Sequence, residues 1–547
     1  MDEATALSPR ASAATTETKN VELRRDVSVW GSYAWGYADV GADIYAALGL
    51  VIAAAQGLAP AAFVFAGLVY IMIGLAYTEL ASTYPVAGGG HYFALRGLGD
   101  FWGFVAGAAL LLDYTIDIAL FAVASAGYIN FFSPLIFGMD VGKISIAVGP
   151  FNDIKIVWLV ETMLLIAFLV WINIRGVRHS SLLNETLGAV DLVLESSVVF
   201  FGFVLAWNPQ LLLDQWTSAL QTLPIDRFMY GSSLAIISFV GLESISQAAQ
   251  ETRRPATVIP RTSIALIFTV FIFAVGFSTV GLGILPWQRF AENLGDPVAE
   301  LARSIPFLGV LAGPFAATLG ATILLISANT GVMGASRLTY SMSQLHLVTK
   351  WLDKVHPRFH TPIRTITVFS LMGALEAFLS FLTPSALDTL GNMYAFGATL
   401  GYTLVFISLI VLRFKDPYSP RPYIMPVNLK IKRNGRAVDF PVLGVLGMIG
   451  VSFILFEVIL THEIGRIAGP TWVVLCVAYY LIWRHRNRLP LRGNVPHNWE
   501  QEQIAVLTSA EEFELLEDYQ EALKRRDKKA NGNNGSVAAA NGVYPRG

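Results

Sequence analysis

The 547-residue chain holds about twelve apolar stretches of roughly twenty residues each, more than any water-soluble fold can bury. They lie at roughly 28–56, 60–82, 101–132, 155–174, 185–207, 228–249, 263–285, 309–334, 366–382, 388–412, 440–461 and 469–484. A bilayer core about 30 Å thick is crossed by about 20 helical residues, and lipid offers no partner to a bare peptide group. Each stretch is therefore predicted to be a membrane helix, and the fold class to be all-α integral membrane. Composition agrees, with 54% hydrophobic and only 14% charged residues, against about 25% charged in a soluble domain.

The first 27 residues are polar, lack an apolar signal core and read as a cytosolic tail. Basic residues set the orientation. With the N-terminus inside, eighteen Lys and Arg, from Arg96 to Arg436, fall in inner connections and six, from Lys143 to Arg466, in outer ones. Both termini are thus expected in the cytoplasm of a multi-pass protein of the cell membrane. Residues 28–412 form an expected core of ten helices, 413–484 add two more, and 485–547 make a cytosolic tail. In that tail, Ser509 and Glu512 have capping-box spacing ahead of a short surface helix, and the end is low-complexity and expected to be disordered. The net charge of −2 points to no nucleic acid, and the single cysteine, Cys476, excludes a disulfide framework.

Two of the stretches carry glycines at mid-span. The first reads SYAWGYADVGADIYAALG, with Gly36 and Gly41 beside Asp39 and Asp43; the sixth reads FMYGSSLAIISFVGLESISQ, with Gly231 and Gly241. These are the first helices of segments one to five, about 28–207, and six to ten, about 228–412. Five is an odd number of crossings, so the second half would start from the opposite side, as an inverted repeat requires. Interrupting a membrane helix frees backbone groups that only a cavity or ligand can satisfy. Freed N–H groups suit an anion and freed carbonyls a cation.

Several segments resemble the amino acid–polyamine–organocation permease superfamily. VGADIYAALG (40–49) is similar to its I-G-S-G-I-F segment, and ELASTYPVAGGGHYFALRGLGDFWGFVAG (79–107) to its E-L/M…P-x-A-G-G-x-Y…G-F-x-x-G pattern. RGVRHSSLLN (175–184), FVGLESISQAAQETRRPATVIPR and SANTGVMGASRLTYSMSQ resemble later motifs in the family's order. The resemblance implies a LeuT-like core of five plus five helices with helices 1 and 6 broken, two extra helices, and alternating access around a midplane site. Where relatives keep a glycine open to a substrate carboxylate, this chain has Asp43, which should repel one. Where many relatives have a lysine in helix 5, counting from Gly176 gives Asp191, so coupling to a proton or to sodium is open.

Ionisable side chains inside spans are costly and are functional candidates by default. Here they are Asp39, Asp43, Asp113, Asp117, Asp191, Glu195 and Glu243, with almost no bases in the same spans. Either several are protonated or a mobile cation satisfies them. Gly41, Ala42, Asp43, Tyr45, Tyr114, Asp117, Phe239 and Gly241 are the expected substrate-binding set, the aromatics stacking over an organic ammonium. Asp39, Asp191, Ser327 and Asn329 are expected to hold the coupling ion, and Glu243 and Tyr394 to gate. Glu251 with Arg253 and Arg254 reads as a cytoplasmic network, and His91 as structural.

No nucleophile, metal-ligand or phosphate-loop constellation appears, and no cofactor is implied; the chain is not expected to be an enzyme. The reading is a permease for amino acids or related amines and polyamines, coupled to protons or sodium. Two alternatives stay open: a potassium or other inorganic-cation importer, since YADVGADIY also resembles a segment of potassium-uptake permeases, and a membrane sensor or receptor. Whether the protein is a monomer or a homodimer stays open too.

Overall fold

The computed structural model describes residues 28–540, apart from 87, 149–150, 176–179, 248, 250–251, 353, 360, 434–435, 463 and 492. The N-terminal tail, Glu251, the last seven residues and part of the 175–184 motif therefore lie outside the described residues.

In chain order the helices are α1 (Val29–Val40), α2 (Asp43–Ala55), α3 (Ala59–Thr83), α4 (Gly90–Leu98), α5 (Asp100–Asn130), α6 (Ser133–Phe137) and α7 (Ile156–Arg175). There follow α8 (Ser180–Leu205), α9 (Pro209–Thr222), α10 (Ile225–Leu234), α11 (Glu243–Gln247), α12 (Pro255–Ile284), α13 (Trp287–Glu292) and α14 (Pro297–Arg303). The last are α15 (Gly309–Gln344), α16 (Ile363–Ser380), α17 (Ala386–Lys415), α18 (Val442–Thr461), α19 (Gly465–Arg486), α20 (Trp499–Ser509) and α21 (Phe513–Ala540). Two antiparallel hairpins lie between helices: β1 (Ser145–Val148) with β2 (Phe151–Lys155), and β3 (Asn428–Arg433) with β4 (Arg436–Pro441).

Among the described residues, eleven stretches are long and apolar enough to cross a membrane, the first being Val29–Thr83. At about 1.5 Å per residue that stretch would be some 80 Å long if straight, well over twice a bilayer core. It instead turns at Gln56, which has φ 50°, and runs on as α3, so it crosses twice. The twelve expected crossings are thus accommodated.

Local chemistry explains many of the boundaries. Ser28 caps α1, its hydroxyl accepting the Gly31 N–H at 3.1 Å, and Asn208 and Ser385 cap α9 and α17 in the same way. Prolines sit in the first turn of α3, α9, α12 and α14, where a missing N–H costs nothing. The outer surface is apolar at helical spacing: Leu371, Leu375 and Phe378 on α16, and Ile449, Phe453 and Phe456 on α18, are exposed. In water such a surface would aggregate; in lipid it is solvated.

The helices pack in two groups. One holds α1, α2, α10 and α11 together with α3 and α12; the other holds α5, α7, α15 and α16, and α8 touches both. Within the first group α1 packs on α11 while α2 packs on α10. The helix-1 and helix-6 segments therefore run side by side in opposite directions, which places their two interruptions at one level.

The tail departs from the sequence reading. The helix expected near Ser509 is preceded by α20, which Ser509 closes, and α21 continues into the low-complexity stretch as far as Ala540.

Candidate functional site

The two interruptions differ in kind. Helix 6 is fully broken. After α10 the chain tightens over Ala235–Phe239, Val240 is extended (φ −83°, ψ 157°), and Gly241 has φ 106° before α11 begins. Helix 1 is interrupted between α1 and α2, but less sharply. Gly41 and Ala42 keep helical dihedrals, and the hydrogen bonds merely shift: Gly41 N–H donates to Tyr37 O at 2.7 Å and Tyr45 N–H to Ala42 O at 3.1 Å. A β-carbon on Gly41 would lie 2.9 Å from the Tyr37 ring, so glycine here lets that ring close over the kink.

The interruptions touch. A β-carbon on Gly241 would lie 3.0 Å from the Val40 side chain and 3.1 Å from the Asp39 carboxyl group. Asp39, 6% exposed, accepts hydrogen bonds from Thr330, at short range, and from Ser327 at 3.4 Å, both on α15. Ser327 also reaches the Asp39 carbonyl at 3.4 Å. Glu243 opens α11 and turns back, its carboxylate accepting the Gly241 N–H at 3.2 Å and the Tyr402 hydroxyl at 3.0 Å.

Around this crossing the acids converge. The charged groups that act most strongly on Asp43 among the described residues are Asp39, Asp117, Glu243 and Asp113, all acids. Asp43 and Asp113 are 1% and 0% exposed. One Asp43 oxygen and one Asp117 oxygen have no hydrogen-bond partner among the described residues, and the Asp113 carboxyl group meets that of Glu243, a contact that requires a shared proton. The Tyr114 hydroxyl, buried beside Asp113 and Glu243, also lacks one. The Tyr394 hydroxyl reaches Asp117, and its ring meets Phe121 edge-on. Phe239 stacks on Tyr70 at 4.9 Å between ring centres. Leaving buried acceptors unsatisfied is costly, and either protons held on the acids or a cation among them would relieve that cost.

A second acid pair lies on α8. Tyr45 donates to Asp191 at 2.5 Å and Tyr37 to Glu195, so each half of helix 1 is held to α8 by one phenol. The second oxygen of each acid has no partner among the described residues.

Most sequence-derived candidates therefore meet in space: Gly41, Ala42, Asp43, Asp117, Gly241, Glu243, Asp39 and Ser327 around the crossing, with Tyr114, Phe239 and Tyr394 as walls and Tyr45 with Asp191 alongside. Asn329 does not join them. It turns to Asn173 on α7 at 2.5 Å and to the sulfur of Met333. Thr330 takes its place, and the signal was available, because Ser327 and Thr330 are three apart and share a helix face whereas Asn329 does not. Tyr37 and Tyr402 carried no such signal among many membrane tyrosines. Glu376 on α16, an acid that the sequence reading passed over, accepts from Thr115 at 3.1 Å outside this centre.

His91, on α4 outside the spans, is buried, and burial lowers its pKa to about 4 against the opposing Gly88 carbonyl. It is a neutral strut between Gly88, at 2.6 Å, and Ser341, at 3.2 Å.

Beside α14 lies a cavity of about 520 Å³, lined by Asp140, Lys143, Asp296 and Arg303 among others. Tyr128 ties α14 to the core, donating to Tyr45 O at 3.1 Å and accepting from Val298 N–H at 3.2 Å. Burial first, then the nearby Glu300, pushes Asp296 up to about 7, against Arg303. A group raised on folding contributes stability that is present at acid pH and lost as pH rises through the folded value. The melting temperature is therefore expected to fall between about pH 4 and pH 7, and Asp296→Asn to flatten that fall. Superimposable pH profiles for the two proteins would show that this carboxyl does not carry it.

The amino acid permease family model matches residues 28–483. The branched-chain amino acid permease of Bacillus subtilis (strain 168) is 26% identical over 492 residues, covering 87% of this chain and 96% of that one. The methylthioribose transporter of the same strain is 26% identical over 75% of this chain and 86% of its own length. Cationic amino acid transporter 4 of Mus musculus is 27% identical over 70% of this chain and 58% of its own.

Proposed function

We propose, starting from the fact that the chain belongs to the amino acid permease family of membrane transporters, that it is a secondary active transporter whose substrate is a cationic amino acid or a related amine or polyamine. The single observation that supports this most is the buried crossing of two interrupted helices, where acids with unsatisfied oxygens meet and the groups that act most strongly on Asp43 among the described residues are all acids. The name of the murine relative, a cationic amino acid transporter, is in keeping with that charge.

In this reading Gly41, Ala42, Asp43, Tyr114, Asp117, Phe239 and Gly241 contact the substrate, with Tyr45 behind them. The two helix groups alternate about the site, and Glu243 and Tyr394 act as gates. The coupling ion is a proton at Asp191, or sodium among Asp39, Ser327 and Thr330. The protein sits in the cell membrane with both termini cytoplasmic, as the basic connections favour.

Thermal stabilisation of the purified protein tests this. Arginine, lysine, leucine, putrescine, potassium and sodium are each added to wild type and to Asp43→Asn. A ligand at about 100 times its dissociation constant stabilises by about 2.7 kcal/mol. A shift with one organic cation, lost in the variant, is the expected result. A shift with potassium alone would replace this reading with inorganic-cation import. Shifts that survive Asp43→Asn would remove that aspartate from the site.

A further inference from the structure

The chain beyond α19 is not a loose appendage. It runs across one face of the molecule and is built into it. The Asn494 side-chain oxygen accepts the Asp100 N–H at 3.1 Å, and Asp100 in turn accepts Val495 N–H at 2.9 Å and the buried Arg484 at 2.8 Å. In α20, Gln503 is 1% exposed. Its amide donates to Thr83 O at 2.9 Å while its oxygen accepts from Arg96 at 3.0 Å. Arg96 pairs with Asp416 at 2.7 Å and lies over the rings of Tyr84 and Trp499. Glu512 accepts the Ala256 N–H at 3.1 Å, so an acid sits on the first turn of α12, where the helix dipole favours it. Tyr519 of α21 is buried, and Arg526 pairs with Glu500 and lies over Tyr418, closing α21 back on α20.

The partners of this segment belong to both helix groups. Thr83 ends α3 and Ala256 begins α12, which pack on the interrupted helices. Asp100 begins α5, which packs on α15 and α16, and Arg96 is on α4, which packs on α5. One segment thus grips both groups at the same end. The groups cannot part there while its polar contacts, those of Gln503 fully buried and the others partly so, are intact.

We propose that residues 494–526 are a strap that holds the cytoplasmic mouth of the transport route shut, so that its release is an obligatory step of the cycle. This rests on the transport reading and the orientation proposed above, and the test separates its failure from theirs. In the full chain carrying Cys476→Ala, the pair Thr83→Cys and Gln503→Cys is bridged with a short bis-methanethiosulfonate, and arginine uptake is measured in proteoliposomes. Ala256→Cys with Glu512→Cys is the second pair, should the first not fold. Bridging is expected to slow uptake at least about tenfold, with recovery on reduction, as it must if opening here precedes release of substrate. Unbridged Gln503→Ala and Glu512→Ala are expected to raise the rate about two- to fivefold by populating the open form. Unchanged uptake after complete bridging would overturn the strap. If wild type takes up none of the amino acids or amines, the transport reading fails instead. A substrate-free readout then decides the strap: labelling of Ser246→Cys, on α11, by a membrane-impermeant maleimide must be slowed by bridging, and unslowed labelling overturns it.

Discussion

Gly241→Ala is expected to abolish transport and to destabilise the protein at the same time. Gly241 has φ 106°, a conformation that costs a side-chain-bearing residue about 1–3 kcal/mol. The new β-carbon would also stand 3.0 Å from the Val40 side chain and 3.1 Å from the Asp39 carboxyl group. Both neighbours belong to helix 1, so relief would come by pushing the two interruptions apart. That would displace Asp39 from Thr330 and Ser327 and move the Gly241 N–H away from Glu243. Gly188→Ala is the control. Gly188 is inside α8, has no positive φ, and its β-carbon would meet nothing nearer than 3.7 Å. Alanine there is expected to be neutral or stabilising by up to about 1 kcal/mol, from helix propensity. Uptake assays and thermal melts of both variants decide the matter. A Gly241→Ala protein that transports at the wild-type rate would show that the crossing is not the site.

Arg413→Met is expected to cost about 3–5 kcal/mol, the largest stability effect of any single change proposed for this protein. Glu79 and Arg413 are 0% and 3% exposed and form a forked pair between α3 and α17, with Nε to Oε1 at 2.9 Å. Glu79 also accepts from Arg421 at 3.1 Å and from the Met425 N–H at 2.8 Å, and Arg413 donates to the Asp439 carbonyl of β4 at 2.8 Å. Removing Arg413 leaves a buried carboxylate with one remaining cation and frees the hairpin carbonyl. The loss comes from the stranded charge rather than from a large net strength of the pair, so Glu79→Gln combined with Arg413→Met should recover much of it. Thermal melts of the two single variants and the double give the coupling directly. Additive losses would show that the two residues act independently.

The contrast between these two sites shows how far the amino-acid order reached. Every membrane helix was legible, to within a few residues at most ends, because about 20 apolar residues have few other fates in a cell. Gly241 was legible as a break because glycine, serine and acid at mid-span are expensive in lipid unless they do something. Glu79 was visible only as part of a motif. Its partner is 334 positions away, and nothing local to either residue says that they meet. The α8 clasp is similar: Asp191 and Glu195 stood out as acids, but Tyr37 was one tyrosine among nineteen, and Tyr45, singled out as a substrate contact, gave no sign that it meets Asp191.

Local reading left the degree of one feature open and misjudged another. Helix 1 is interrupted between Val40 and Asp43 as expected, but less sharply than helix 6, since Gly41 and Ala42 keep helical dihedrals. A glycine permits a break but does not impose a sharp one. The tail was expected to be solvated, since its composition is polar. Its polar groups are instead the very ones that Thr83, Arg96, Asp100 and Ala256 leave to be satisfied where their helices begin or end.

By itself the sequence determined that this is a many-helix membrane transporter with acids at its centre, because hydrophobic length and the cost of charge in lipid are local properties of short stretches. Only the tertiary structure decided which acids share a space, which of their oxygens stay unsatisfied, that Thr330 rather than Asn329 serves Asp39, and that the tail straps two helix groups together. Those are relations between residues as many as 420 positions apart, and such contacts are set by how whole helices pack, not by any property of the residues that happen to meet.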